Sequence, residues 1–415
     1  MVRYAIVGAG QRGAGYAAWA GRHADRAQVV AVAEPRAGRR ERLAREHGAA
    51  HVFESWQDLA AAPRLADAAI VSTQDAEHVE PAIALARKGY HLLVEKPLAP
   101  TAEECVRLVD AVTEAGVLFA VCHVMRYRPY TRLVKQLVDD GRIGEVVSVQ
   151  HLEPVGHWHY AHSYVRGNWR RTDLASFMLL AKSGHDIDWL RHIVGRPVER
   201  VSSFGSLRHF TAGQAPAGAA ARCLDCAVEP TCPYSAKRLY LGMVRAGRTG
   251  WPVSVLTDEV SEESVTRALR EGPYGRCVYQ SDNDVVDHQV VAMEFAGGTT
   301  ATFTMTAFTP HVDRRTQIFG TRGFLDGDGT EVRLHDFLTG STEVLTAAGT
   351  GLDTESGHSG GDAGLMDAFT TAVDTGDGSH ILSGAEESLE SHLAVFAAER
   401  ARLAGTVERV QPGRV

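Results

Sequence analysis

The chain begins with a strand, a glycine loop and a helix, and that order leaves few folds open. Tyr4-Ala5-Ile6-Val7 is a short apolar run, followed directly by Gly8-Ala9-Gly10-Gln11-Arg12-Gly13 in G-x-G-x-x-G spacing. Glycines so placed let the backbone turn tightly and approach a pyrophosphate, which then sits at the positive end of the next helix. Alone, the same spacing also suits a plain tight turn. The runs Val29–Val32, Ala68–Val71 and His91–Val94 read as further buried parallel strands, with helical patterns at Glu41–His47 and Val79–Lys88 between them. Strand and helix in alternation predict an α/β fold whose N-terminal part is a doubly wound parallel sheet of the Rossmann type.

Glu34 closes the second strand, 21 residues after Gly13. An acidic residue there accepts hydrogen bonds from an adenosine ribose, which favours NAD over NADP. Arg36, Arg39 and Arg40 follow it. They either meet a 2′-phosphate or form a solvated helix face with Arg36 beside the adenine.

Further along, Thr73-Gln74, His78, Gly89-Tyr90-His91 and Glu95-Lys96-Pro97-Leu98 resemble the Gfo/Idh/MocA oxidoreductases, which carry an E-K-P box at the end of the fifth strand. Arg126-Tyr127-Arg128-Pro129 and Gly141-Arg142-Ile143-Gly144-Glu145 match the same family's crossing into its second domain. The resemblance implies a Rossmann domain at 1–124 and an α+β domain at 125–415 built on a large, mostly antiparallel sheet. It implies NAD(P) binding by Gly8, Gly10, Gln11, Arg12, Gly13, Glu34, Arg36, Thr73, His78, Glu95, Lys96 and Pro97. It also implies polyol, sugar or glycoside substrates, and a subunit interface on the outer face of the large sheet, hence a homodimer or homotetramer.

Oxidising an alcohol carbon needs a hydride acceptor and a group that takes the hydroxyl proton. Lys96, at a strand's carboxyl end where such sheets bind ligands, is the first candidate for that group. The second centre is Lys182-Ser183-Gly184-His185-Asp186-Ile187-Asp188. On a helix Lys182, His185 and Asp188 share a face. The resemblance makes His185 the residue that faces the reacting hydroxyl. Many relatives place an aspartate four residues earlier; Ala181 stands there instead. Asp188 is the replacement carboxylate expected to orient His185, and Lys182 is expected to add positive charge to the substrate pocket, with Tyr127 nearby.

Residues 157–171, His-Trp-His-Tyr-Ala-His-Ser-Tyr-Val-Arg-Gly-Asn-Trp-Arg-Arg, follow no regular period and read as a loop over the substrate. His159, His162, Arg166 and Trp169 are its candidate ligands. Together with Lys182, the clustered Arg166, Arg170 and Arg171 predict an anionic group on the substrate, since guanidinium forks match oxyanions. Burial in a subunit interface is the competing use of such residues. His358, in the glycine-rich turn at 357–362, is a further candidate for the substrate pocket.

Cys223-Leu224-Asp225-Cys226, Cys232 and Cys277 are four cysteines in a stretch, 205–283, that reads as an insertion with little core of its own. A structural zinc with four thiolates would staple it. Free thiols, an iron–sulfur centre or disulfides are the alternatives. Cys105 and Cys122 read as buried apolar residues.

Forty-three Lys and Arg against 51 Asp and Glu leave a net charge of −8, so no partnership with nucleic acid or membrane is expected. Few cysteines, no signal-like N-terminus and no long apolar run place the chain in the cytoplasm. Three activities fit: oxidation of a sugar or glycoside with NAD; redox-neutral glycoside cleavage, in which transient oxidation permits elimination, hydration and re-reduction; and a non-catalytic NAD-binding regulator.

Overall fold

A computed structural model describes residues 1–257, 259–347 and 359–411. The first sheet contains β1 (Val2–Val7), β2 (Ala27–Ala33), β3 (His51–Phe53), β4 (Ala68–Val71), β5 (His91–Val94) and β6 (Phe119–Val121), in the order β3-β2-β1-β4-β5-β6. Every pairing is parallel. Helices cover both faces, so β4 is buried along its whole length and reads in sequence as an unbroken apolar run. The strand order reverses beside β1, and the crevice at the carboxyl ends of β1, β4 and β5 is where such sheets take ligands.

The second sheet has nine strands: β7 (Val146–Pro154), β8 (Val198–Ser206), β9 (His288–Phe295), β10 (Thr300–Thr306), β11 (Arg315–Gly320), β12 (Gly323–Gly327), β13 (Glu331–Asp336), β14 (Thr342–Thr346) and β15 (Val407–Arg409). Their order is β14-β13-β12-β11-β7-β10-β9-β8-β15, antiparallel except for the parallel pair β7 and β10. The alternation expected between Val285 and Thr309 is present: Val291, Met293, Ala301, Phe303 and Met305 face the core.

Three features differ from the sequence expectation. The helix Gly361–Thr375 packs on the first sheet's helical layer, with Leu365, Met366 and Phe369 in one core with Tyr4, Tyr16 and Ile6. A cut at 124 therefore separates the sheets but not the packing. The cysteine-bearing segment leaves at the end of β8 and returns at β9, its antiparallel neighbour. It does have a core of its own: Ala236, Tyr240, Leu241, Val253, Val265 and Leu269 pack together with Cys223.

Residues 157–171 are not a loop. A short helix, His157–Tyr160, runs into a π-helical turn, Ala161–Arg166, before a last turn at Asn168–Arg170. The insertion covers one side of this segment and the sheet the other, so all six residues of the π-turn are buried and no amphipathic period survives. No helix among the described residues is long and apolar enough to cross a membrane.

Candidate active site

The glycine loop is built for close approach. Gly8 has φ +91°, and a Cβ there would lie 2.6 Å from the Ser72 carbonyl oxygen. A Cβ on Gly13 would collide with the Gly8 carbonyl, whereas nothing lies within 4 Å of one on Gly10, where the loop opens outward. Ser72 Oγ donates to the Gly8 carbonyl at 2.8 Å and pins the turn. Glu34 is buried and accepts from the Ala9 amide (2.8 Å) and the Arg36 amide (3.0 Å). A carboxylate has about four lone-pair sites, so two remain for a ribose. The Gly10-capped helix Gln11–Arg22 has no side-chain cap, leaving its first amides for an anion. Loop, helix end and carboxylate thus fit an adenine dinucleotide.

Other expected cofactor residues have partners within the chain. Arg12 turns away from the loop: its guanidinium meets both oxygens of Asp362, Glu95 and the Tyr16 hydroxyl. Glu95 also accepts from Tyr16 (2.7 Å) and from the Lys96 amide (3.1 Å), so it aims the E-K-P turn. His78 is buried, with Nδ1 2.7 Å from the Pro97 carbonyl and Nε2 3.3 Å from that of Thr73, tying the β4 and β5 ends together. Thr73 Oγ1 donates to the Glu77 carbonyl. Arg36 is exposed, while Arg40 is buried against the Glu34 and Pro35 carbonyls and Glu54, which takes it from any 2′-phosphate role.

Lys96 projects from the end of β5, and its Nζ donates to the Ala181 carbonyl at 2.6 Å. Desolvation pushes its basicity below the ordinary lysine range, against the charges of Asp75 and Glu95. The segment expected as one helix through Lys182 is broken. Met178–Ala181 is a single turn, residues 182 and 183 interrupt it, and a new helix, Gly184–Val194, carries His185 in its first turn. Lys182 leaves the shared face and pairs with Glu153 at 3.3 Å. His185 is buried, edge-on to His123 with ring centroids 6.0 Å apart.

Asp188 does not fill the role assigned to it. Arg126 grips both its oxygens, at 2.7 and 2.8 Å, and Ser391 donates to it at 2.8 Å. Its carboxyl is held far below the usual range, burial being outweighed by Arg126. The carboxylate was free in sequence only because Arg126, 62 residues away, is brought to it by the fold.

Three substrate candidates are held by partners within the chain, and a fourth is a surface ring. Tyr127 is fully buried, its hydroxyl joined to Ser383 and to the Leu382 and Ser383 amides. His162 stacks on Tyr274 and bonds the Tyr240 hydroxyl, inside the insertion's packing. Arg166 donates to the carbonyls of Arg276 and Tyr234 and to Cys223 Sγ. Trp169 is a surface ring, 6.4 Å from Tyr164. Arg170 pairs with Asp282 and Arg171 with Asp173, so the arginines that suggested an anionic substrate are matched within the chain. His358 lies outside the described residues.

His159 is differently placed. It sits beside Lys182, His311 and Trp251, with a buried Nδ1 that has no hydrogen-bond partner; burial, then Lys182, keeps it neutral. Sequence reasoning missed the wall behind it. Arg314 joins carboxylates of two elements, Glu153 on β7 at 2.7 Å and Asp186 at 2.5 Å, and Asp186 also meets His151 at 3.1 Å. Glu153 and His151 occupy inward positions of a strand, where alternation alone suggests apolar residues. Asp75, near Lys96, was also passed over; its Oδ2 is buried without a hydrogen-bond partner.

Cys223, Cys226, Cys232 and Cys277 line one cavity with Arg166. Among the described residues, however, no three His, Cys, Asp or Glu side chains are arranged as they stand to hold a metal ion, so the expected zinc is not shown. Cys105 and Cys122 are free and buried in apolar cores, as expected.

A parallel sheet with a glycine loop at its crevice is thus joined to a large, mostly antiparallel sheet whose charged wall stands near a lysine and a histidine. Residues 2–123 match the oxidoreductase family's NAD-binding Rossmann fold and residues 135–407 its C-terminal alpha/beta domain; the chain belongs to the Gfo/Idh/MocA family. It is 32% identical over 214 residues to 2,7-anhydro-N-acetylneuraminate hydratase of Escherichia coli (strain K12), covering 51% of this chain and 55% of that protein. It is 28% identical over 215 residues to scyllo-inositol 2-dehydrogenase (NAD(+)) of Bacillus subtilis (strain 168), covering 50% and 58%. The chain thus spans little more than half the length of these relatives. Scyllo-inositol dehydrogenase from Lactobacillus casei with bound NAD(H) and scyllo-inositol shares the fold, with a TM-score of 0.68 at 17% identity over 99% of both chains.

Proposed function

We propose that this protein oxidises a hydroxyl of a sugar or glycoside with NAD. The carrying observation is the convergence of Lys96, bound to the Ala181 carbonyl, with His185 three residues past Lys182, at the mouth of a crevice whose glycine loop and Glu34 fit the dinucleotide. NAD, when bound, supplies the hydride acceptor. Lys96, its basicity lowered by desolvation, takes the hydroxyl proton; His185 holds the same hydroxyl from the other side; Lys182 and His159 orient the ring.

A second reading uses the same first step. A transient ketone acidifies the neighbouring C–H, so a suitably placed base permits elimination of the aglycone, addition of water and return of the hydride. The similarity to the hydratase favours keeping it. Purified protein is incubated with NAD and a panel of polyols, sugars and aryl glycosides. Accumulating NADH supports oxidation; aglycone release without net NADH, with solvent deuterium entering beside the oxidised carbon, supports the second reading. Loss of turnover by about 10² or more in Lys96→Ala and His185→Ala, with NAD affinity kept, is the common expectation. Full activity of either variant removes that residue. Neither product, with NAD bound, leaves the regulatory reading.

We infer also that the four-cysteine cavity takes one structural zinc. Each sulfur has an N–H aimed at it: Arg166 at Cys223 (3.5 Å), the Ala220 amide at Cys226 (3.5 Å), and the Tyr234 and Tyr279 amides at Cys232 and Cys277. Arg166 Nη1 is buried without a partner, an unbalanced cation that a tetrathiolate centre would offset. Elemental analysis of protein purified without added metal should give about one zinc per chain; none overturns the site. Phe204, Val290 and Leu152 lie along one outward row of the large sheet, Phe204 70% and Val290 41% exposed, which supports a second copy on that face. Light scattering tests dimer or tetramer against monomer. A cytoplasmic location completes the reading.

A further inference from the structure

The insertion reaches back to the cofactor loop. Ser254 Oγ lies 3.5 Å from Nε2 of Gln11, the first residue of the helix that follows the glycines. Three residues earlier, Trp251 closes an aromatic cluster: its ring centroid is 5.5 Å from Trp158, 5.0 Å from His159 and 5.4 Å from His162. Val253, between them, is fully buried, so the segment is anchored and not a fraying tip. Trp251 is nevertheless 42% exposed, and Trp158 is also only partly covered.

The position of this cluster gives it a use. Lys182 directly follows Ala181, whose carbonyl holds Lys96 Nζ at 2.6 Å, and it pairs at 3.3 Å with Glu153 near the end of β7, the strand that leads into the helix carrying Trp158 and His159. The indoles therefore flank the substrate side of the lysine and histidine centre, while Ser254 flanks the cofactor side. Buried polar atoms are normally satisfied, and His159 Nδ1 is not. Indole faces suit the apolar face of a flat ring and keep a donor at the edge.

We propose that Trp251, supported by Trp158, forms a ring-stacking subsite in a roof that the insertion places over the crevice. It takes a pyranose or aryl ring adjoining the sugar that is oxidised, with His159 Nδ1 meeting a hydroxyl at the junction. The proposal rests on the sugar reading above. It makes Trp251 a specificity residue: the enzyme prefers two-ring glycosides to single-ring polyols.

The experiment measures dissociation constants by saturation-transfer NMR on full-length protein loaded with NAD. Probes are scyllo-inositol and methyl β-D-glucoside as single rings, cellobiose as a pyranose pair and phenyl β-D-glucoside as the aryl form. Trp251→Ala should weaken cellobiose or phenyl glucoside binding about tenfold and leave the single rings within twofold. Trp251→Phe should recover most of the loss, and Trp169→Ala, at a surface ring elsewhere, should change nothing. Whichever two-ring probe responds identifies the occupant. Equal weakening of all probes, no change with any, or no binding of any probe to the wild type overturns the subsite. A two-ring preference lost in Trp251→Ala in a protein that turns over no sugar would keep the subsite and reject the oxidative reading.

Discussion

Replacing Asp188 by alanine separates two roles for a carboxylate beside a catalytic histidine. If Asp188 orients His185, its loss lowers turnover and leaves the fold intact. The structure assigns it elsewhere: Arg126 is fully buried and its fork closes on Asp188 at 2.7 and 2.8 Å. Removing the carboxylate leaves a buried guanidinium with Glu387 and the Leu382 carbonyl as its remaining partners. Breaking such a pair from one side costs about 3–5 kcal/mol. An unfolding entropy of about 2.1 cal/mol/K per residue gives about 0.9 kcal/mol/K for a chain of 415 residues, so the melting midpoint should fall by about 3–6 °C. Arg126→Met combined with Asp188→Leu should recover much of that loss, because it removes both charges.

The assay pairs calorimetry with turnover on the wild type's substrate. Expected is a lowered midpoint with kcat per folded molecule within threefold of the wild type. An unchanged midpoint with kcat reduced about 10²-fold would refute the reasoning and return Asp188 to the catalytic set.

Glu34→Gln should weaken NAD and narrow its advantage over NADP, since one charged acceptor for the ribose is lost; equal wild-type affinities in a titration would overturn the assignment. Burial pushes His123 and His162 each down to about 3. Both are neutral when folded and protonate near 6.5 when unfolded, so stability is full above about pH 6.5 and falls as pH drops, each histidine adding a slope of up to about 1.4 kcal/mol per pH unit. Urea midpoints between pH 7 and 5 check this; a flat profile excludes it. Because Lys182 and Arg314 are already paired with Glu153 and Asp186, a neutral glycoside and its 6-carboxylate analogue should differ less than about tenfold in kcat/KM; a larger preference for the acid would restore the anionic substrate.

The first domain was legible because its signals are local. Apolar runs, a glycine loop and an acid at the end of the next strand lie within 34 residues, and β4 and β5 appear where the runs predicted them. β3 and β6, three residues each, are too short to show a period. β7 was hidden for another reason: its inward residues after Val149 are His151 and Glu153, polar because this stretch of the sheet lines the site. The failures at Asp188, Tyr127, His162 and Arg166 share a cause. Each is a polar residue whose partner lies far along the chain, so its availability for substrate cannot be judged from neighbours. His159 differs from them in that charge and rings crowd it yet Nδ1 has no hydrogen bond.

Ala181 shows how a backbone carbonyl can serve where a side chain is missing. The helical turn Met178–Ala181 stops at 181, and carbonyls at a helix end lack intrahelical donors. Such an end attracts a cation. Lys96 Nζ supplies it at 2.6 Å, so the backbone at 181 anchors the ammonium that a carboxylate would otherwise have drawn in. A neutral anchor holds the lysine without adding the full charge that would raise its basicity, and desolvation keeps it depressed. Alanine is then a sensible occupant, since a carboxylate there would pair with Lys96 or Lys182 and strengthen the proton's hold. Ala181→Asp should accordingly raise the pH at which turnover reaches its plateau; a profile identical to the wild type would show that Lys96 does not carry the proton.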